Sequence, residues 1–390
     1  DDMTDKRYLD AFTCFASWPL GYNHEGFNDP IFEDELLRAA KTNVSNSDVY
    51  SEEMAKFVEC FGSRVSPENY KHHFWIAGGC LAVENAMKTA FDWKARKLGR
   101  TDFDTCCDDL QILHFDHAFH GRSGYTMSVT HTLPDKVGLF PKYRWPQVHS
   151  PAIEYGSEGN IINDIQAEED LSCAQIEKIM SSNKIAGILI EPMQGEGGDR
   201  HFRPEFLKKL RAFADKYECL LIFDEVQTGF YGSGERWLWE KLGVAPDVVS
   251  FGKKAQVCGI YASDRVEEVE DNVFHKSSRI NSTWGSNLVD MVRSRRFVEI
   301  IEQQNIQDQV RKTGDYVLKE LRNISKSNQS LLNIRGHGSL IAFTLPNASL
   351  RDKLVGAFMD NEMIALGCGP KSIRFRLPLI MNLNEAGMLL

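Results

Sequence analysis

Asp224 closes the apolar run Leu220-Leu221-Ile222-Phe223, which puts a carboxylate at the end of a strand-sized segment. If that strand is interior, the charge needs a cationic partner, because burial of an unpaired carboxylate is strongly unfavourable. A bound cationic ring is one such partner; an ordinary capping role toward a neighbouring loop is the other reading. Lys253 follows the next apolar run, Val248-Val249-Ser250-Phe251-Gly252, and lies 29 residues after Asp224, room for one crossover helix between adjacent parallel strands. A lysine in a partly dry pocket loses basicity, becomes nucleophilic and forms an imine with an aldehyde. Lys254 has the same claim on spacing alone. The third element is Trp75-Ile76-Ala77-Gly78-Gly79-Cys80-Leu81, a strand-to-helix turn whose glycines let backbone N–H groups approach an anion such as phosphate. Glycine also occurs in such turns for steric reasons. No G-x-x-x-x-G-K-[ST] and no G-x-G-x-x-G is present, so P-loop and Rossmann readings lack their motifs.

The elements that must position these groups are short apolar runs at His73 to Ala77, Ile112 to Phe115, Ile185 to Ile190, Cys219 to Phe223, Val248 to Phe251 and Gly259 to Ala262, each closed by polar residues or glycine. Helical patterns lie between most of them, at Leu81 to Lys97 and Pro204 to Tyr217. The alternation predicts an α/β fold with a mostly parallel central sheet covered by helices, whose ligand sites lie at the carboxyl ends of the strands. The pattern changes near residue 285, where helices at Met291 to Gln304 and Asp308 to Asn323 precede strands around Leu340 to Leu345 and Ile373 to Leu377. The expected division is a large domain over 45–284, a smaller α+β domain over 285–390, and a segment 1–44 that packs with the smaller one. Asp48 is the expected N-cap of a helix carrying Met54, Phe57, Val58 and Phe61, and Ser325 to Ser330 a solvated loop.

Composition narrows the function. Across 390 residues, 45 Lys and Arg against 55 Asp and Glu give a formal charge of −10, which argues against nucleic acid or an anionic membrane as partner. The nine cysteines include the adjacent pair Cys106-Cys107 and no C-x-x-C, which suits a reducing cytoplasmic compartment better than a disulfide framework. No apolar run approaches the ~20 residues of a bilayer span, and Asp1-Asp2-Met3-Thr4-Asp5 is acidic where a signal peptide is basic. His114, His117 and His120 recur every three residues, but without an H-E-x-x-H frame no metal site is expected from them. Trp237 and Trp239 read as core or interface, and His72 and His73 as strand-edge residues.

Phosphate cradle, carboxylate and lysine at successive strand ends are what pyridoxal 5'-phosphate requires. Here the segments Leu221-Ile222-Phe223-Asp224-Glu225-Val226-Gln227-Thr228-Gly229 and Ala245-Pro246-Asp247-Val248-Val249-Ser250-Phe251-Gly252-Lys253 resemble the class III (omega) aminotransferases of PLP fold type I. Within that class, Gly78 to Ala86, Ala118 to Thr126, Glu191 to Arg203 and Phe251-Gly252-Lys253-Lys254-Ala255-Gln256-Val257-Cys258-Gly259 are similar to the L-lysine 6-aminotransferases. The resemblance covers nearly the whole chain. It implies transfer of the ε-amino group of L-lysine to 2-oxoglutarate, in a homodimer with shared active sites.

By the same resemblance, Lys253 is the Schiff-base lysine, in preference to Lys254, and Asp224 pairs with the pyridine nitrogen. Phe119 stacks on the ring, Gln227 lies near the ring oxygen, and Gly79 and Cys80 give N–H groups to the phosphate. Thr283 reaches the phosphate of the other subunit. Arg122 holds the lysine carboxylate, Arg374 the α-carboxylate of 2-oxoglutarate, and Glu196 is similar to a glutamate that masks that arginine; its bland reading is a solvated loop carboxylate. The competing readings are another ω-aminotransferase, acting on ornithine, 4-aminobutyrate or a diamine, and a catalytically silent homologue. The sequence departs from the family at Leu377, where a proline is usual, at Cys80, where alanine is usual, and at Trp18-Pro19. It also reads as a fragment, starting within the first strand region and stopping before the last helix of the small domain.

Overall fold

The structure, a computed structural model, describes residues 6–181 and 184–390; the acidic N-terminal residues weighed against a signal peptide lie outside them. Seven strands form the large sheet: β1 (His72–Ile76), β2 (Gln111–Phe115), β3 (Gln147–Val148), β4 (Ile185–Ile190), β5 (Leu220–Asp224), β6 (Val248–Phe251) and β7 (Cys258–Ala262). Their order is β1-β7-β6-β5-β4-β2-β3, and only β7 runs against the rest. The interior strands β4, β5 and β6 are buried at every residue, which is why they read as unbroken apolar runs and not as alternating ones. β1, with His72 and His73, is one of the two edge strands of this sheet.

Helix Gly79–Lys97 covers one face with Ala82, Val83, Ala86, Met87 and Ala90 buried. Small residues let it lie close: a Cβ on Gly187 of β4 would sit 3.1 Å from the Ala90 Cβ. Its last turn carries Lys94, Arg96 and Lys97, which oppose the helix dipole. On the other face Trp237 is buried against Phe251 and Tyr261 and donates its indole N–H to the Val65 carbonyl at 2.9 Å. Trp237→Ala is expected to lower stability by about 3–5 kcal/mol through the cavity it leaves. A shift in the urea midpoint measures it, and a loss below about 1 kcal/mol would contradict this packing.

The second sheet is antiparallel, with β8 (Leu332–His337), β9 (Leu340–Thr344), β10 (Leu366–Cys368) and β11 (Ser372–Arg376) in the order β8-β9-β11-β10. Residues Leu9–Asp10 pair in parallel with Met363–Ile364 beside it. The helix Pro30–Lys41, capped by Asp29, packs on helix Leu288–Gln303, whose buried face joins the core of the large sheet. Two expectations are corrected. Ser51, not Asp48, caps helix Glu52–Cys60 by accepting from the Met54 N–H, because Asp48 is engaged by the Ser45 hydroxyl. Ser325 is buried within helix Ile306–Ser327, so the solvated loop begins only after it. Among the described residues no helix is long and apolar enough to cross a membrane.

Candidate active site

β5 and β6 end side by side, with Asp224 opposite Ser250 in register. The chain leaves β6 through Gly252 into the short turn Lys253–Ala255, where Lys253 has φ +49° and Gln256 φ +63°. Side chains rarely occupy this left-handed region, and strain of this kind concentrates at functional positions. The Gln256 amide fixes the turn by donating to the Ser17 carbonyl at 2.7 Å and the Lys253 carbonyl at 3.2 Å. As a result Lys253 faces a cavity of about 560 Å³ at the strand ends. Lys254 turns into the protein and donates to the Gln227 carbonyl at 2.5 Å. Burial, with the cations of Arg374 and Arg376 nearby, pushes the Lys253 ammonium down to about 8.

Eight of the ten residues expected from the sequence line this cavity: Lys253, Asp224, Gly79, Cys80, Phe119, Gln227, Arg122 and Glu196. Arg374 lies just behind, 2.7 Å from Glu196 and 3.4 Å from Gln227. Thr283 is not brought in; it is exposed, outside the cavity. Two histidines of the three-residue pattern have partners of their own. His114 stacks on His131 at 2.8 Å between ring nitrogens, and His120 turns to Asp224.

Asp224 is only 5% exposed, accepts from the Val226 N–H at 3.0 Å, and takes the His120 Nδ1–H at 2.8 Å. It still borders the cavity, so a cation bound there would meet a buried carboxylate already oriented by two donors. At the start of helix Gly79–Lys97, Gly78 has φ +106° and no side chain caps the first turn. Those N–H groups are free for an anion, where the helix dipole favours negative charge. Close approach is built in: a Cβ on Gly121 would lie 2.4 Å from the Cys80 Cβ, and one on Gly195 would lie 2.1 Å from Gln227 Oε1. Arg122 is exposed at the mouth with no ion-pair or hydrogen-bond partner among the described residues, a guanidinium open to a carboxylate.

Three supporting residues escaped the sequence reading. His120 appeared there only as part of a motif. Glu191 directly follows β4; it accepts from the Phe119 N–H at 2.9 Å and the Gly195 N–H at 3.0 Å, tying together the loops that carry Phe119 and Glu196. Burial, reinforced by Asp224, pushes its carboxyl up to about 7. Its place after an apolar run was the available signal. Arg376 is buried, forms a two-point pair with Asp199, and holds Gln227 Oε1 at 2.6 Å. Nothing in its local sequence marks that role. Glu196 itself is not a solvated loop carboxylate. Burial alone would raise it, but Arg374 and Lys136 outweigh burial and hold it below the usual carboxylate range.

An anion cradle at a helix start, a strand-end lysine of lowered basicity and an oriented buried carboxylate facing one cavity fit pyridoxal 5'-phosphate. With the mostly parallel seven-stranded sheet and the smaller sheet, they define a PLP-dependent enzyme of fold type I. The whole chain, residues 1–390, matches the model of the family described as Aminotransferase class-III, and the protein belongs to that family. It is 44% identical over 387 residues to the L-lysine-epsilon aminotransferase of Mycobacterium tuberculosis, covering 99% of this chain and 86% of that one. It is 43% identical over 389 residues to the enzyme of the same name from Streptomyces clavuligerus, with 99% and 85% covered. The structure of the lysine aminotransferase from M. tuberculosis in the internal aldimine form matches with a TM-score of 0.94 at 44% identity, over 99% of this chain and 89% of that one.

Proposed function

We propose that this enzyme moves the ε-amino group of L-lysine to 2-oxoglutarate, giving 2-aminoadipate 6-semialdehyde and L-glutamate in two half-reactions. The carrying observation is that Lys253 and Asp224 face one cavity while Arg122 stands open at its mouth and Arg374 is covered by Glu196. Pyridoxal 5'-phosphate, when bound, supplies the aldehyde and the electron sink. Lys253 would hold it, and its amine would move the proton at the substrate ε-carbon. Asp224, held by His120, would keep the proton on the ring nitrogen. Gly79 and Cys80 would hold the phosphate through backbone N–H groups, and Phe119 and Gln227, the latter fixed by Arg376, would hold the ring. Thr283, exposed on this chain, serves the phosphate site of a second copy in a homodimer.

Two carboxylate sites explain how one pocket takes two substrates. Arg122 binds the single carboxylate of lysine, so the far end of the substrate, the ε-amine, reaches the reacting centre. With Glu196 on Arg374 the second site is closed to a lone carboxylate; 2-oxoglutarate, with two, requires it open. Initial rates with lysine, ornithine and 4-aminobutyrate test the assignment, lysine being expected fastest. Good activity on 4-aminobutyrate with none on lysine would overturn it. Because only the neutral amine reacts, uptake of the aldehyde by cofactor-free enzyme should speed up about tenfold per pH unit and level off near pH 8, where Lys253 loses its proton. A rate flat from pH 6 to 9, on the order of unit steps, would contradict the environment described for Lys253. All nine cysteines are free thiols, which supports the cytoplasm as the compartment.

A further inference from the structure

Glu196 is shared. One oxygen accepts from Arg374 at 2.7 Å, and the other is paired with Lys136, from the short helix Pro134–Val137. Arg374 is 3% exposed, Glu196 22% and Lys136 26%, so the pairs run from the interior to the rim of the cavity. The Lys136 ammonium also sits 5.3 Å from the centre of the Phe119 ring, over the wall of the pocket, without lining it. For a keto acid to use Arg374, Glu196 must give that guanidinium up. A partly buried carboxylate that loses its only cation pays a desolvation penalty with nothing to offset it. Here the second cation is already in place on the other oxygen.

We propose that Lys136 is a positioning residue that retains Glu196 when it leaves Arg374, so that opening of the second carboxylate site becomes less costly and binding of the dicarboxylic acceptor is favoured. Lysine, which needs only Arg122, gains nothing from it. The inference deepens the reading above and rests on it, since it takes Arg374 as the acceptor's site. The positive charge of Lys136 would also attract any carboxylate, but that effect would act on lysine and on the acceptor alike, and would not depend on Glu196.

The test uses the cofactor-loaded enzyme and glutarate, a dicarboxylate that cannot accept an amine, titrated by calorimetry. Lys136→Met is expected to raise the glutarate Kd and the KM for 2-oxoglutarate about tenfold, with the KM for lysine within about twofold and kcat at saturating acceptor little changed. Lys136→Arg should restore most of the affinity, which also shows that the segment folds. In a Glu196→Gln background, where no charge has to be retained, Lys136→Met should have no further effect on glutarate. An unchanged glutarate Kd, an equal loss of lysine affinity, or full additivity in the double variant would each overturn the proposal. Failure of the unmodified enzyme to use lysine would sink the lysine assignment alone, because the glutarate cycle needs no turnover.

Discussion

Lys253→Ala is expected to abolish amine transfer from lysine, with kcat reduced by at least about 10⁴-fold, while the protein still folds and takes up pyridoxal 5'-phosphate without a covalent link. Two functions would be lost in one substitution, since in the proposed mechanism the same nitrogen anchors the cofactor and carries the proton at the ε-carbon. Lys254 cannot take over. Its side chain is buried and donates to the Gln227 carbonyl at 2.5 Å, and burial beside Lys253 drives its ammonium well below the ordinary lysine value without bringing it to the cavity. Lys253→Arg should be as inactive, because a guanidinium stays charged and is no nucleophile. Small free amines added to Lys253→Ala should recover part of the proton transfer, and steady-state turnover above one-hundredth of the original, as an order-of-magnitude bound, would contradict the assignment.

Asp224→Asn is the second large effect. Removing one member of a buried charge pair costs roughly 3–5 kcal/mol, which is about 10²–10⁴ in rate if the pair forms with the ring nitrogen. The substitution keeps the shape of the site: the amide oxygen can still accept from the Val226 N–H, while the amide NH2 takes the place of the oxygen that meets His120. What it removes is the negative charge. The loss should therefore fall on kcat, with cofactor still held through the phosphate cradle. A cofactor analogue methylated at the ring nitrogen carries its positive charge permanently and should restore part of the rate to Asp224→Asn while giving little to the unsubstituted enzyme. Equal rates for Asp224→Asn and the parent would show that this carboxylate only caps its loop.

Much of this site is visible in the chain because strand ends are. The fully buried strands β4, β5 and β6 produce apolar runs whose first polar residue is the one delivered to the cavity edge, and Glu191, Asp224 and Lys253 all follow such runs. Choosing Lys253 over Lys254 was beyond spacing, because the choice depends on a left-handed turn at a residue that has a side chain. Family resemblance supplied it. Arg376 and Lys136 stayed hidden for another reason: their partners, Asp199 and Glu196, lie 177 and 60 residues away, and no local pattern encodes such a meeting. The Asp48 expectation failed through competition, since a nearby serine captured the carboxylate before it could cap. Helix Leu288–Gln303 follows the change of pattern near residue 285, yet it buries its apolar face with the large sheet, a consequence of packing and not of its place along the chain.

Borohydride reduction of the yellow, cofactor-loaded enzyme, followed by peptide mass mapping, addresses the central claim directly. The pyridoxyl group should be found on Lys253, and prior addition of lysine should shift the absorbance and prevent the labelling. Label on Lys254 or elsewhere, or no label on a protein that nevertheless turns over, would mean that the lysine facing Asp224 across this cavity is not the one that does the chemistry.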